Sequence, residues 1–305
     1  MYNRRELGRA TLAGLAAPLL AALAPAGNQG GLGVQTCSFG GVKRTAGVDP
    51  IDTLADAVAA CGVRHCELFA PQIEAQFGSA HAGHHTMSAM SPQMMRRELR
   101  KWRLRVPDSY FRTIAARFAK AGIAISAFNY SPNASFSDEE IDRGFAMAKA
   151  LGAQLITASV TLGVAKRIAP FADHHRMVVA LQGGAPGGEP NALSTPDSVA
   201  AALALSKYFR VSLDIGDFTA ANFDAVAYVR DHHREIATLR LKDRRKTTGE
   251  NLPWGEGDAP IREVLRLVKQ EAWPIRGYVE YDYAGPTGAI DEVKKCLAYA
   301  SEAMM

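Results

Sequence analysis

Two carboxylates stand alone inside apolar runs: Asp214 closes Val-Ser-Leu-Asp-Ile and Glu280 closes Gly-Tyr-Val-Glu before Tyr281. A charge carried into such a run needs a partner, because burial without one is expensive. A salt bridge with Arg240 or Lys242 is the structural answer. A metal or a polar substrate is the chemical one. In Arg240-Leu241-Lys242-Asp243 the alternation of a strand puts Arg240 and Lys242 on one side, while Asp243 points the other way or begins a loop. Other apolar runs end near Glu67 and at Asn129, Ser159 and Gln182; Asp217 follows Asp214 by three residues and Asp282 follows Glu280 by two. Polar residues at strand ends often cap loops, and Ser159 and Asp243 are read that way.

The runs carrying these residues are short and apolar on both faces, as buried parallel strands are. Eight are expected: Leu32–Cys37, Val63–Phe69, Ile123–Asn129, Gln154–Ser159, Met177–Gln182, Val211–Ile215, Thr238–Lys242 and Gly277–Tyr281. Helix signals lie between them. Asp49-Pro50 and Thr195-Pro196 pair a cap with a proline at the first helical position. Ser137 through Glu140 form a capping box. Ile261, Val264, Leu265 and Val268 follow the one-faced helix spacing, and Gly122 and Gly152 stand where a C-terminal glycine belongs. Strand alternating with helix eight times is the arithmetic of an α/β (β/α)₈ TIM barrel, and an open doubly wound sheet is the runner-up. The latter wants a glycine-rich phosphate turn after its first strand, and Phe39-Gly40-Gly41 is not one. In a barrel the chemistry sits at the C-terminal ends of the strands, where the polar residues above are found. A long insertion, about residues 70–95 with His81, His84 and His85, reads as a loop over the mouth, of the kind that serves as a lid.

The 305 residues are 48% hydrophobic and 22% charged, which argues against disorder. The net charge of +4 includes +2 from Arg4, Arg5 and Arg9 against Glu6. So small a charge predicts no nucleic-acid face, and the basic run Arg96–Arg105 is expected to be a solvated helix face. Four cysteines make no disulfide scaffold in a chain this long, and the Cys61/Cys66 spacing is no metal knuckle. Residues 1–26 read as a twin-arginine export signal: Arg4-Arg5, a weakly apolar stretch from Thr11 to Ala24, and Ala24-Pro25-Ala26 as the cleavage site. The stretch is too short and broken for a span of about 20 apolar residues. The expectation is an exported, periplasmic protein of one domain, residues 27–305, without a membrane span.

Three stretches carry a resemblance: SDEEIDRGFAMAKALGAQLITAS (137–159), KYFRVSLDIGDFTAANFDAVAYV (207–229) and LKDRRKTTGENLPWGEGDAPIREVLRLVK (241–269). With them, most of residues 32–302 resembles the sugar phosphate isomerase/epimerase family of xylose isomerase-like TIM barrels, nearest its exported twin-arginine subgroup. The resemblance implies a divalent cation (Mn, Mg or Zn) at the mouth, with Asp214 and Glu280 as its strand-six and strand-eight ligands. The strand-five ligand falls on Gln182, where the subgroup usually reads His-Asn-His and this chain reads Gln182-Gly183-Gly184. The strand-seven histidine falls on Arg240, a substrate histidine on Asp217, and a strand-two histidine on Gln72. Two carboxylates and an amide beside a guanidinium make a poor cation site, so no tightly bound metal is expected.

The family's reaction moves protons at carbons next to a sugar carbonyl. The resemblance thus implies a carbohydrate substrate, Glu280 as base, Asp214 or Asp217 returning the proton, and Arg240 and Lys242 supplying the charge a metal usually brings. Glu67, Asn129, Gln182, Arg240, Lys242 and Trp254 are expected to bind substrate, Trp254 either as a sugar platform or within a glycine turn capping the next helix. Three alternatives are a silent sugar-binding barrel, a lyase cleaving keto-glycosides, and a structural barrel with Asp214, Arg240 and Glu280 as a buried ion network.

Overall fold

A computed structural model describes residues 31–42, 48–76, 90–183 and 193–305. Eight parallel strands close on themselves: β1 (Gly31–Gln35), β2 (His65–Phe69), β3 (Ala124–Asn129), β4 (Leu155–Ser159), β5 (Val178–Gln182), β6 (Phe209–Asp214), β7 (Ile236–Leu241) and β8 (Arg276–Val279). Each pairs with its sequence neighbours, and β8 closes on β1 with Gly31 opposite Arg276. All eight expected strands are present, with no end displaced by more than two residues and the ends at Phe69, Asn129, Ser159 and Gln182 as expected. The displacement has local causes. After Gln35 the chain tightens into a 3₁₀ turn, Thr36–Phe39, whose first N–H groups need a side-chain acceptor. After Asp214 it turns directly into a helix.

The helices are α1 (Pro50–Ala60), α2 (Pro92–Arg105), α3 (Asp108–Lys120), α4 (Asp138–Leu151), α5 (Leu162–His175), α6 (Pro196–Leu203), α7 (Ile215–Ala220), α8 (Ala225–His232), α9 (Ile261–Gln270) and α10 (Ala289–Ala303). Their starts are where capping chemistry puts them. Asp49 accepts from the Ile51 N–H, Ser137 and Glu140 form the reciprocal box, and Thr195 does the same with Ser198. Gly152 closes α4 in the left-handed region at φ 74°. Ile261, Val264, Leu265 and Val268 are all buried on one face of α9.

The main core lies between strands and helices, and a smaller one fills the barrel, where Tyr278 packs among Ala127, Leu155 and Ala180. The Tyr278 hydroxyl shares a hydrogen bond of 2.9 Å with Ser126. A buried tyrosine needs such a partner and also room. Gly33 provides the room: a Cβ there would come within 2.9 Å of the ring.

Two expectations change in the insertion after β2. Its described ends form secondary structure, a 3₁₀ turn at Ala70–Gln72 and α2 beginning at Pro92; the three histidines lie outside the described residues. The basic run is indeed a helix, but not simply a solvated face. Arg103 is buried, donating to both Glu74 oxygens (2.6 and 2.7 Å) and to Glu140 (3.3 Å), and Arg96 forks onto Glu140 at 2.7 and 2.8 Å. The acids that draw these arginines inward are 29 to 44 residues away in sequence, so the run itself carried no sign of them. No helix among the described residues is long and apolar enough to cross a membrane.

Candidate active site

The C-terminal ends of the strands bring one connected charge network together. Arg240 on β7 lies between Glu67 on β2, to which its Nη2 donates, and Glu280 just past β8, whose Oε2 is 3.3 Å from its Nη1. Lys242, two residues on, reaches Asp214 and Asp217 at 3.0 Å each and Glu280 at 4.0 Å. The shared side of β7 thus presents both cations to the acids, as strand alternation requires. Gly216 lets the start of α7 come close: a Cβ there would lie 2.6 Å from Lys242 Cγ and 2.8 Å from its carbonyl oxygen.

The amides finish the arrangement. Gln182 donates to Asp214 Oδ2 at 3.1 Å, and Asn129 donates to Glu67 Oε1 at 3.2 Å and to Thr157 at 3.1 Å. Asp214 Oδ1 accepts the Asp217 N–H at 2.8 Å, capping α7. Glu67, Asn129, Gln182, Asp214, Arg240, Lys242 and Glu280 are all buried. One oxygen of each of two acids, Glu67 Oε2 and Glu280 Oε2, is buried without a hydrogen bond. For Glu280 this means that its contacts with Arg240 and Lys242 are Coulombic rather than directed, leaving a lone pair unengaged.

Burial, with Asp217 and Glu280 nearby, pushes the Asp214 carboxyl up to about 7 against the pull of Lys242. Burial works against the charges of Arg240 and Lys242, but the surrounding acids outweigh it and hold both above their ordinary ranges. Cys37, whose Sγ is 3.8 Å from Glu280 Oε1, is pushed far up by burial and by Glu280, so it stays a thiol. Asp282, at the exposed rim, is raised by burial and by Glu280, and it accepts from Asn251 at 2.9 Å.

Eight of the nine expected site residues therefore meet: Glu67, Asn129, Gln182, Asp214, Asp217, Arg240, Lys242 and Glu280. Trp254 does not join them. Its ring packs edge-on against Tyr299 of α10 (centroids 6.0 Å apart) and against the main core. Here the turn reading holds: Asp243 accepts the N–H groups of Gly255, Gly257 and Ala259 at 2.8–3.1 Å, folding the loop back before α9. Gln72 bonds Thr36 through its amide (2.6 and 2.9 Å), tying the turn after β2 to the one after β1. Sequence reasoning passed over Arg244, which donates to Asp217 and, through Nε, to Gly249 O at 2.8 Å. Continuing the alternation of Arg240 and Lys242 by two residues would have found it. Cys37 was also missed, and nothing in its own neighbourhood marks it.

The donor set fits a divalent metal poorly. Arg240 and Gln182 stand where two ligands would be needed, and Lys242 already lies against three carboxylates. Among the described residues no group of three or more His, Cys, Asp or Glu is placed to hold a metal ion.

No family model and no curated protein matches the chain. Solved structures do. A sugar phosphate isomerase/epimerase from Parabacteroides distasonis is 14% identical, covers 90% of this chain and 95% of its own, and superposes with a TM-score of 0.59. A xylose isomerase domain protein from Alicyclobacillus acidocaldarius is 11% identical over 90% of this chain and 98% of its own, with a TM-score of 0.62. A 3-keto-D-glucoside 4-epimerase from E. coli is 10% identical over 89% and 98%, with a TM-score of 0.61. Similarity at this level speaks for the fold, and in fold the chain is a xylose isomerase-like TIM barrel.

Proposed function

We propose that the chain acts on a carbohydrate by moving a proton at a carbon next to a carbonyl, with Glu280 as the base and no resident divalent metal. The observation that carries this is the Glu280 carboxylate: buried at the mouth, flanked by two cations, with an oxygen that accepts no hydrogen bond. Glu280 takes the proton, the electron pair moves onto the carbonyl oxygen, and Arg240 and Lys242 face the enediolate that results. Removing one such stabilising group or the base typically costs 10²–10⁴-fold in rate. Asp214, which burial pushes up to about 7, carries a proton in a substantial fraction of molecules at neutral pH and can return it, directly or through Asp217 across the shared Lys242 ammonium. Two monovalent cations stabilise an enediolate less than a divalent ion does, which favours substrates with already acidic α-protons, such as keto-sugars. The E. coli neighbour, named for a keto-glucoside, points the same way.

The test is proton exchange. In D₂O, wild type should place deuterium next to the carbonyl of a 3-keto-glucoside but leave the unoxidised glucoside untouched, and Glu280→Gln should abolish this. Binding without exchange would instead support a silent sugar-binding barrel, and release of the aglycone would support a lyase. Metal dependence is tested separately by titrating manganese or zinc after chelation. Wild type should bind weakly and the Gln182→His, Arg240→His double variant tightly. Tight stoichiometric binding by wild type, lost in Asp214→Ala, would restore a metal-dependent mechanism.

A further inference from the structure

The deep acids of the mouth are paired with cations, but the acid at its rim is held by an amide. Asp282 accepts at Oδ2 from Asn251 Nδ2, 2.9 Å away, and is itself exposed. It follows Glu280 by two residues, and the strand ladder still runs at that point, since the Glu280 N–H donates to Leu241 O at 2.9 Å. Alternation therefore carries Asp282 to the side of the strand end that Glu280 occupies. Its carboxyl lies within electrostatic reach of Glu280, Lys242 and Arg244, and of the Cys37 thiol.

Asn251 is aimed by a short hairpin. It pairs with Arg244 where Asp243–Arg244 and Asn251–Leu252 run antiparallel. Arg244 fixes one edge of this hairpin to Asp217 at the start of α7, and the Thr247 N–H adds a bond to Ala220 O at 3.3 Å. The Asn251 amide fixes the other edge to Asp282. It does so at a cost, because Asn251 Oδ1 is buried without a hydrogen bond. Turning the amide over would set that oxygen against the carboxylate, so the bond to Asp282 decides the orientation. Folding alone gives no reason to steady an exposed carboxylate by leaving a buried acceptor unpaired.

Charge decides what this carboxylate can receive. An ionised carboxylate only accepts hydrogen bonds, so hydroxyl groups suit it and anions do not. Among the described residues of the mouth the cations are Arg240, Lys242 and Arg244, and each is in contact with at least one acid. The acids are Glu67, Asp214, Asp217, Glu280 and Asp282, which outnumber those cations even when Asp214 is protonated. None of the three cations is left over for a phosphate, and a phosphate beside Asp282 would be repelled.

We propose that Asp282, held in place by Asn251, binds hydroxyl groups of the substrate and restricts the mouth to uncharged sugars, rejecting phosphorylated ones. Asp282 is the binding residue and Asn251 the positioning residue. The subsite rests on the carbohydrate substrate proposed above and narrows its class.

Calorimetry and deuterium exchange with a methyl 3-keto-glucoside and its 6-phosphate test this. Wild type should bind the neutral sugar more tightly than the phosphate by about tenfold or more. Asp282→Ala, at an exposed position, should raise KM for exchange about tenfold, the scale of a hydrogen bond to a charged group, while kcat falls far less. Asp282→Lys should turn the preference toward the phosphate. Asn251→Ala should raise KM by a smaller factor in wild type and add nothing in the Asp282→Ala background, a coupling that a merely structural role of Asn251 would not produce. Equal or tighter binding of the phosphate by wild type, or an unchanged KM in Asp282→Ala, would overturn the subsite while exchange by wild type still supported Glu280 as the base. Selective binding without exchange would sink the proton-transfer reading and keep the subsite, with affinity in place of KM as its measure. Binding of neither sugar would remove both.

Discussion

Arg240 shows at the level of one residue why a buried ion network is easier to break than to value. It lies between two buried acids, Glu67 and Glu280. Arg240→Met removes one cation and strands two carboxylates, so the urea midpoint should fall by the equivalent of about 3–5 kcal/mol, the usual consequence of halving a buried pair. Adding Glu67→Gln should recover part of that loss. Asp214 gives a pH-dependent counterpart. Its folded-state pKa of about 7 stands above the ordinary 3.8, so the folded protein holds a proton that the unfolded chain releases between roughly pH 4 and 7. This contribution weakens the fold as pH rises through that window. Asp214→Asn mimics the protonated form and should therefore gain on wild type in urea denaturation as pH rises from 4 to 7. If wild type gains instead, Lys242 outweighs burial and the carboxyl is ionised throughout.

Helix α2 is attached by buried charge as well as by one aromatic contact, Trp102 packing edge-on against Tyr110 and Phe111. Arg103 is its one buried residue, and the helix is fixed to the turn after β2 and to α4 through Glu74 and Glu140. Arg96 and Arg103 also lie over the Phe136 ring, at 4.6 and 4.4 Å. Arg103→Met should loosen this helix before the barrel. Amide exchange across 92–105 should rise while β5 and β6 stay protected, and overall stability should drop by about 3 kcal/mol because Glu74 loses its partner. Uniform loss of protection would mean that the helix and barrel unfold as one unit.

For the whole molecule, the closed sheet begins at Gly31, so a chain starting at Gly27 retains every barrel strand. Removing residues 1–26 should leave the thermal midpoint unchanged, and a marked fall would give that segment a structural role. The export reading rests on Arg4-Arg5, the apolar stretch Thr11 to Ala24 and the Ala24-Pro25-Ala26 site, all of which lie outside the described residues. Its expected outcome is retention of the precursor in the cytoplasm when both are replaced by lysine, checked by fractionation.

Strand number, strand type and helix starts were legible in the chain because they rest on local rules: apolar runs of strand length, and caps whose donors lie two or three residues from their acceptors. Asp214 and Glu280 were legible for the same reason, as acids where local composition admits none, and Arg240 and Lys242 through simple alternation. What only the tertiary structure decided was partnership. That Arg240 pairs with Glu67, 173 residues away, that Arg103 turns inward to Glu74 and Glu140, and that Trp254 packs on Tyr299 rather than facing the mouth depend on which strand ends and helices become neighbours. Barrel closure sets those neighbours, bringing β8 back to β1, and residues far apart along the chain then meet where burial makes an unpaired charge expensive.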